Sequence, residues 1–409
     1  MGESLRKILN TNNMEKNPNT TLIPCQRHLF DIPDEVAYLN CAFMGPLMHS
    51  VIKAGAQGMY AKKKPWNITP HDFFPETESA RVLFSKLIGA DAEGVALIPS
   101  ASYGLAVASQ NIKLQPNENI MVLADQFPSN VYVWMEKAKI SGAKLMVVER
   151  PTNDDWTHAI LSNLNDQIKV VALPNCHWTD GGLIDLEQVG KRCREVDAYL
   201  VLDLTQSLGA LPFSTKAVEP DYIVCAAYKF LLGPYSLGLL WVAPRNREGI
   251  PLEYNWISRS NSENFAGLVD YKDTYRAGAR RFDVGENSNF ILVPMLNRAL
   301  EQLLEWGVDN IYTTIARKNA MIAKRAKQLG LDHVSDHLRA LHFLGLRFPP
   351  DILPTSIATD LAEHNVFVSV RGSSMRITPH VYNTDDDIQR LFDALERILN
   401  ATAQALPLP

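Results

Sequence analysis

Two charged residues, Asp203 and Lys229, have the types and positions that chemistry on a small molecule requires. Asp203 directly follows the apolar run 200–202, and Lys229 follows the run 222–227. A carboxylate at the end of a buried strand needs a partner, such as the N–H of a protonated ring nitrogen. A lysine in apolar surroundings is shifted toward the neutral amine, the nucleophile that forms a Schiff base with a carbonyl group. Each residue alone is better explained as a solvated side chain, so the hypothesis depends on the motifs around them.

A turn that could bind an anion is the second candidate. The sequence Pro-Ser-Ala-Ser-Tyr-Gly at 99–104 follows the apolar run Val95–Ile98 and precedes a helical pattern. The N-terminus of a helix presents free backbone N–H groups and the positive end of the helix dipole to a phosphate. The small residues of this turn, Ser100, Ala101 and Ser102, are therefore candidates for a phosphate site. In isolation, an ordinary helix cap explains the same turn.

The elements that must position these residues are indicated by hydrophobic periodicity. Between residues 81 and 242, short apolar runs alternate with longer amphipathic stretches, as in β-α units around a largely parallel sheet. Seven strands are predicted, at 95–98, 120–123, 144–148, 170–173, 200–202, 222–225 and 238–242. Two helical patterns, short strands and a terminal helix at 385–399 follow residue 290, which predicts a second, smaller α+β unit. Ligands bind at strand ends in such sheets, where Asp203 and Lys229 lie.

Together the motifs resemble those of class V aminotransferase-like enzymes, which use pyridoxal 5′-phosphate (PLP). Segment 201–209, Val-Leu-Asp-Leu-Thr-Gln-Ser-Leu-Gly, is similar to the family segment D-x-x-Q/H-x-x-G, and segment 227–238 is similar to its Schiff-base segment. The resemblance implies that Lys229 binds PLP as a Schiff base and is catalytic. It also implies that Asp203 pairs with the pyridine nitrogen and that Gln206 lies near the 3′-oxygen.

The same resemblance implies a fold and a domain organisation. The fold is the PLP-dependent transferase fold type I, an α/β fold. Its large domain has a mainly parallel seven-stranded sheet flanked by helices, and its C-terminal domain is smaller and α+β. The expected organisation is a flexible N-terminus at 1–20, a large PLP-binding domain at 21–285 and a small domain at 286–409. Segment 21–60 is expected to pack with the small domain.

Further cofactor contacts are implied at positions that match the family's motifs. Tyr228 is similar to a tyrosine of kynureninases that contacts the phosphate, and Ala101 and Ser102 match the family's phosphate turn. Phe127, in Gln-Phe-Pro-Ser-Asn at 126–130, corresponds to an aromatic residue that stacks on the cofactor ring, although core packing explains it equally well. Thr179 corresponds to a residue that hydrogen-bonds the 3′-oxygen.

Segment 281–287, Arg-Phe-Asp-Val-Gly-Glu-Asn, departs from the family pattern R-F-E-x-G-T. In the family a threonine there reaches the phosphate of the neighbouring subunit. Glu286 would repel a phosphate, so Asn287 or Asn289 must serve here, or the contact is absent.

Substrate contacts are implied by two other segments. Segment 371–383 resembles the C-terminal signature R-x-S/A-P-H/V-x-Y-N, in which Arg376 corresponds to the residue that binds the substrate α-carboxylate. A guanidinium suits this role because its planar fork binds both oxygens. Arg371 is a weaker second candidate, and a surface ion pair is the alternative for Arg376. Four more residues are candidates for contact with the substrate: Asn40, Phe43, His177 and Trp178. A lone histidine is more often structural than catalytic, so the role of His177 stays open.

Composition limits the class of partner. The 409 residues carry a net charge of −5, which gives no reason to expect nucleic acid or an anionic membrane as a partner. No apolar stretch is long enough to span a membrane, the N-terminus does not resemble a signal peptide, and the cysteine pattern suggests neither disulfides nor a metal site. A cytoplasmic protein is therefore expected. The family resemblance implies a homodimer that acts on an amino acid or keto acid. It also disfavours a cysteine desulfurase, because those enzymes keep a persulfide-forming cysteine on a loop in the C-terminal part of the chain, and here no cysteine follows Cys225.

The reaction itself stays open at this point. A class V aminotransferase acting through an external aldimine is the preferred hypothesis. A kynureninase-like lyase and an amino-acid epimerase are alternatives, because small geometric differences decide among them. A protein of this fold that binds a ligand without turnover is the second alternative. The lysine, the aspartate and the carboxylate-binding arginine together favour an enzyme.

Overall fold

The helices and strands are taken from a computed structural model that describes residues 20–348 and 354–405. The α-helices are α1 (His49–Ala61), α2 (Pro75–Ile88), α3 (Ala101–Asn111), α4 (Ser129–Ser141), α5 (Trp156–Asn163), α6 (Leu186–Glu195), α7 (Thr215–Val218), α8 (Leu292–Trp306), α9 (Val308–Gln328), α10 (Pro354–Glu363) and α11 (Asp385–Ala405). The strands are β1 (Ala37–Tyr38), β2 (Val95–Ile98), β3 (Asn119–Leu123), β4 (Lys144–Val148), β5 (Ile168–Pro174), β6 (Tyr199–Asp203), β7 (Tyr222–Ala226), β8 (Gly238–Val242), β9 (Asp332–His333), β10 (Leu344–Arg347), β11 (Val366–Phe367), β12 (Ser369–Arg371) and β13 (Ser374–Ile377).

A seven-stranded sheet in the order β2-β8-β7-β6-β5-β3-β4 forms the centre of the larger part. Neighbouring strands are parallel, except that β8 runs antiparallel to both β2 and β7. All residues of β2, β7 and β8 are buried, because helices cover both faces of such a sheet. The predicted α/β class and the seven predicted strands are confirmed, and several observed strands extend a residue or two beyond the prediction.

The parallel strands of the sheet end at one edge, where the sequence predicted Asp203 and Lys229 to lie. In the pairing register Asp203 lies beside Pro174 on one side and Val224 on the other. Lys229 lies in the turn that follows β7, and β2 ends immediately before the turn that leads into α3. The chemistry-bearing residues of these three segments therefore share one edge of the sheet.

The smaller unit is built on an antiparallel sheet in the order β12-β13-β10-β9. Its apolar cluster includes residues of β10, β13, α9 and α11, together with Ala37 and Leu39 from near the N-terminus. Strand β1 pairs in parallel with β11, so this part of the N-terminal segment lies against the C-terminal unit. Helix α8 packs instead against α1 and α2.

Some predictions about organisation are not tested by these features. The boundary between residues 285 and 286 stays a prediction, and the segment predicted to be flexible lies, up to residue 19, outside the described residues. Among the helices of the described part, none is long and apolar enough to cross a membrane. The irregular segment 244–283 contains 3-10 turns at Pro244–Asn246, Phe265–Gly267 and Gly278–Phe282.

Candidate active site

A cavity of about 280 Å³ lies at the edge of the sheet where these strands end. Seven of the predicted site residues line it: Ala101, Ser102, Phe127, Asp203, Gln206, Tyr228 and Lys229. They come from five separate segments, since α3, the turn after β3, β6, the turn after β6 and the turn after β7 each contribute at least one of them. Ser100, Trp178 and Tyr235 line the same cavity.

Lys229 is the most reactive group of this cavity. Only 5% of the residue is exposed, and burial lowers its pKa to about 8. The positive charge of Arg376 lowers the pKa further, while the carboxylate of Asp203 opposes the shift. The Lys229 ammonium nitrogen lies 5.2 Å from the ring centre of Phe127 and 5.5 Å from that of Tyr228. A lysine with these neighbours provides a neutral amine near physiological pH, as nucleophilic chemistry requires.

A glycine fixes the backbone around the lysine. Gly45, in the loop that follows β1, donates its N–H to the Tyr228 carbonyl oxygen at 2.8 Å. A Cβ atom at Gly45 would come within 2.3 Å of the Lys229 carbonyl oxygen, so only glycine allows this approach. Leu232 has a φ of +51°, a strained conformation for a branched residue. The hydrogen bond from Gly45 and the close approach of its backbone therefore fix the turn that carries Lys229.

Asp203 and Gln206 each carry an oxygen with spare hydrogen-bonding capacity. The Asp203 carboxylate accepts the Thr205 N–H at 3.1 Å, and burial raises its pKa although hydrogen bonding to Thr205 and the charge of Lys229 oppose the shift. The Gln206 side chain donates to the Ala42 carbonyl oxygen at 3.3 Å, but its Oε1 atom is buried without a partner. Two acceptors in this state, both lining the cavity, are suited to donors on a bound molecule.

The turn before α3 is arranged to receive an anion. The Ser100 hydroxyl caps the helix by accepting the Tyr103 N–H at 3.2 Å, and Ser102 donates its hydroxyl to that of Ser129 at 3.1 Å. The first N–H groups of a helix have no carbonyl partner within it, so those of Ala101 and Ser102 point outward from the helix end. The helix cap and the anion turn are therefore compatible, because the cap uses the side chain of Ser100.

Four aromatic residues, Phe127, Trp178, Tyr228 and Tyr235, line the cavity. The Phe127 ring meets the Trp178 ring edge-on at 5.3 Å, and Trp178 donates its indole N–H to the Asp125 carbonyl oxygen at 2.6 Å. The Tyr228 and Tyr235 rings are 4.7 Å apart. Tyr235 was not predicted, although it lies in the same segment as Lys229 and could have been proposed from that position.

Arg376 lies on β13, is almost fully buried and is not among the residues that line the cavity. Its guanidinium carbon is 5.9 Å from the ring centre of Trp178, which does line the cavity. Arg376 donates to the Trp178 carbonyl oxygen at 3.2 Å, while its Nε atom has no partner. Burial and the nearby charge of Arg371 lower its pKa to about 9. Among the described residues, no carboxylate lies within ion-pair distance of Arg376. A guanidinium in this condition is suited to bind an anion.

Two residues that the sequence predicted to contact ligands, His177 and Thr179, are not among those that line the cavity. The His177 ring is fully buried, stacks on Trp156 and interacts with the Thr179 hydroxyl at 2.7 Å. Arg150 also donates to that hydroxyl, at 3.1 Å. Burial lowers the pKa of His177 to about 4. Neither residue is among those that line the cavity, because their polar groups are already paired with each other and with Arg150. These contacts favour the structural role that the sequence left open for His177, and its contact with the substrate stays a prediction. Its neighbour Trp178 lines the cavity.

The remaining predicted residues also lie outside the cavity lining of this chain. The Asn40 oxygen accepts the Ser369 hydroxyl at 2.9 Å, and Phe43 is half exposed. Asn287 donates to Asp283 at 3.0 Å, and the oxygen of Asn289 accepts backbone N–H groups at the start of α8. The predicted contact of Asn287 or Asn289 with a phosphate of another subunit stays a prediction. In the part of the chain that the structure describes, no three or more His, Cys, Asp or Glu side chains are grouped to hold a metal ion.

Comparisons with known proteins bear on the family and the fold of the chain. A sequence model of the family "Aminotransferase class-V" matches residues 69–391. An uncharacterized aminotransferase of Bacillus subtilis is 24% identical over 323 residues, which cover 78% of this chain and 83% of that protein. A kynureninase of Shouchella clausii is 23% identical over 254 residues, covering 60% and 59% of the two chains.

A solved structure, that of a cysteine desulfurase from Thermococcus onnurineus NA1, gives a TM-score of 0.80 at 16% identity. It covers 93% of this chain and 100% of that chain. At this identity the likeness bears on the fold alone, and it confirms the predicted fold type I.

Proposed function

The chain belongs to the class-V aminotransferase family, and we propose that it is an aminotransferase that acts on an amino acid through Lys229. It is a PLP-dependent enzyme, so its cofactor is pyridoxal 5′-phosphate, as the sequence resemblance implied. The observation that carries the proposal is the buried amine of Lys229, with a pKa of about 8, in one cavity with the buried carboxylate of Asp203.

The lining of the cavity fits this cofactor group by group. The free N–H groups of Ala101 and Ser102 would hold the phosphate, and Asp203 would accept the ring N–H. The unpartnered Oε1 of Gln206 requires a donor, and its amide group would lie near the 3′-oxygen. Two aromatic residues complete the set, Phe127 as a stacking partner for the ring and Tyr228 as a phosphate contact. When bound, the cofactor supplies an aldehyde and an electron-withdrawing ring that stabilises negative charge at the substrate Cα.

Lys229 is the residue proposed to move the proton. Its Nζ atom, once neutral, would take a proton from the substrate Cα and deliver it to C4′ of the cofactor, which is the proton transfer that a transamination requires. Epimerisation would require a second base on the opposite face. Phe127 cannot act as one, and burial raises the pKa of Tyr228, so this phenol stays protonated. Among the residues that line the cavity, Lys229 is the base with the best support, and this favours transamination over epimerisation.

Arg376 is proposed to bind the α-carboxylate of the amino acid. Two observations support this role. The buried Nε atom of Arg376 has no hydrogen-bond partner, and no carboxylate among the described residues forms an ion pair with this arginine. Thr179, Asn40, Phe43, His177 and Asn287 have no such support within this chain. Their contacts with cofactor or substrate stay predictions.

The deciding experiment is a screen of amino acids against the purified holoenzyme. Each amino acid is added alone, the absorbance of the cofactor is recorded, and keto acid and ammonia are measured. Keto acid formed in a single turnover without ammonia, with the cofactor left in its amine form, is the expected result. Release of a side-chain fragment would identify a lyase and a change in optical rotation alone an epimerase. An unchanged spectrum with every amino acid would favour a binding protein without turnover.

The pH dependence of cofactor capture is the first testable consequence. The neutral amine of Lys229 reacts, and its pKa is lowered from 10.5 to about 8. The rate at which apoenzyme binds PLP covalently is therefore expected to rise with pH and to level off above about 8, when followed by absorbance at constant PLP concentration. A rate that continues to rise toward pH 10.5 would show that Lys229 is an ordinary, solvated lysine.

A homodimer in the cytoplasm completes the proposal. Tyr235 lines the cavity and yet is 62% exposed, and Tyr60 and Trp66 are also largely exposed. Large exposed aromatic residues often mark a surface that another chain covers. Light scattering on the holoenzyme is expected to give twice the mass of the chain. A monomer that retains PLP would contradict the homodimer.

A further inference from the structure

The hairpin of β12 and β13 directs two arginines to one face. Its antiparallel register pairs Ser369 with Arg376 and Arg371 with Ser374. Directly opposed residues share a face of a sheet, and so do residues two apart on one strand. Arg371 therefore lies on the same face as Arg376, as its diagonal neighbour, at a separation of about 7–8 Å between backbones. The other face carries Met375, which is buried in the apolar cluster of the smaller unit.

Both guanidinium groups lie beside the indole of Trp178. The guanidinium carbon of Arg371 is 5.8 Å from the centre of the ring, and that of Arg376 is 5.9 Å from it. Trp178 lines the cavity that contains Lys229. Both arginine charges also lower the pKa of Lys229, as expected of cations close to its amine. The arginine pair thus adjoins the proposed substrate site, with an aromatic side chain that holds both groups by cation–π contact.

Neither arginine is neutralised by the protein. Among the described residues, no carboxylate forms an ion pair with Arg371 or Arg376. The hydrogen bonds that they donate go to the carbonyl oxygens of Val370 and Trp178. Arg347 on the neighbouring strand β10 provides the contrast, because it pairs with Asp154 at 2.7 Å and Asp180 at 3.1 Å. Two neighbouring cations without a counterion repel each other, so a bound anion at each would be favourable.

We propose that Arg371 binds a second anionic group of the substrate, so that the preferred amino acid carries an acidic side chain. Arg376 binds the α-carboxylate and Arg371 binds the acidic group at the far end of the side chain. This assignment rests on the proposed function, because it presumes that Arg376 receives the α-carboxylate. A neutral side chain would leave Arg371 without a partner, whereas an acidic one forms charge-assisted hydrogen bonds with it.

The test compares dianions with monoanions of similar length as ligands of the holoenzyme. Glutarate and succinate are titrated by calorimetry against pentanoate and butanoate. The dicarboxylates are expected to bind about 10- to 100-fold more tightly, the usual effect of one charge-assisted hydrogen bond. Arg371→Gln is expected to remove this difference and leave the affinity for butanoate unchanged, while Arg376→Gln weakens all four ligands. Arg371→Lys, which keeps the charge and loses the fork, is expected to retain part of the preference.

A control variant and a series of amino acids distinguish failure of the Arg371 assignment from failure of the proposed function. Arg192→Gln removes an exposed arginine that pairs with Glu195 on α6, and no change in any affinity is expected. Equal affinities of glutarate and pentanoate for the wild-type holoenzyme would overturn the assignment. With amino acids, glutamate and aspartate should change the cofactor spectrum at lower concentrations than glutamine and asparagine. Equal responses to the acid and its amide would overturn the assignment alone, whereas no response to any amino acid would contradict the proposed function.

Discussion

Lys229→Ala is expected to abolish the covalent bond to the cofactor and nearly all turnover. Loss of proton transfer by a positioned side chain alone costs roughly 10²- to 10⁴-fold in rate, and loss of the nucleophile adds to this effect. The variant is measured in two ways. Its absorbance spectrum should lack the band of lysine-bound PLP. After borohydride reduction and proteolysis, the wild-type peptide that contains residue 229 should carry the mass of the cofactor, and the variant peptide should not.

Lys169→Ala is the matched control for this experiment. Lys169 lies on β5 in the same sheet, but its amine pairs with Asp197 at the protein surface. Removing it should change neither the spectrum nor the rate, because a surface ion pair contributes little to stability. A Lys229→Ala protein that folds, retains the absorbance band and still turns over would show that another amine carries the cofactor.

The sequence was sufficient to predict the sheet and the residues at its edge. Buried parallel strands are nearly continuous apolar runs, so each of the seven could be recognised locally, and their ends meet at one edge by topology alone. Asp203 and Lys229 directly follow such runs. The prediction of Phe127, Gln206 and Ser102 also required the spacing of the motifs. These three residues, too, lie within a few residues of a strand end and line the cavity. A prediction of this kind depends on backbone position and not on the direction of a side chain.

Side-chain direction is what the sequence could not provide for Thr179 and His177. Both residues follow β5 in the chain, and they flank Trp178, which lines the cavity. Arg150, from the segment after β4, contacts the Thr179 hydroxyl and the His177 ring, at sequence separations of 29 and 27 residues. A pairing between residues so far apart leaves no local signal.

A second pair of residues that lie far apart in the sequence, Arg81 and Asp283, connects the anion turn to the rest of the fold. Arg81 on α2 and Asp283 are separated by 202 residues, and their exposed fractions are 0% and 1%. Arg81 binds both oxygens of the carboxylate, at 3.1 and 2.6 Å, and donates to the Val95 carbonyl oxygen at 2.6 Å. Asp283 in turn accepts the Leu97 N–H at 2.7 Å. The pair therefore holds β2, the strand that leads directly into the turn at Ala101.

Arg81→Met is expected to lower the free energy of unfolding by about 3–5 kcal/mol, the usual effect of leaving one buried charge without its partner. The midpoint of urea unfolding of the apoenzyme measures this loss. Because β2 leads into the anion turn, the variant should also bind PLP more weakly in equilibrium dialysis. Arg192→Met, which breaks an exposed ion pair on α6, is the control, with an expected loss of no more than about 1 kcal/mol.

The double variant Arg81→Met with Asp283→Asn separates loss of charge balance from loss of packing. Asparagine is neutral, and its amide oxygen can still accept the Leu97 N–H, so the uncompensated charge disappears while the strand keeps its hydrogen bond. The double variant should therefore be more stable than Arg81→Met alone, by on the order of 1–3 kcal/mol, the cost of burying an unpaired polar group. A double variant less stable than the single one would show that the aspartate contributes mainly through its other contact, with Asn287, and not through charge balance with Arg81.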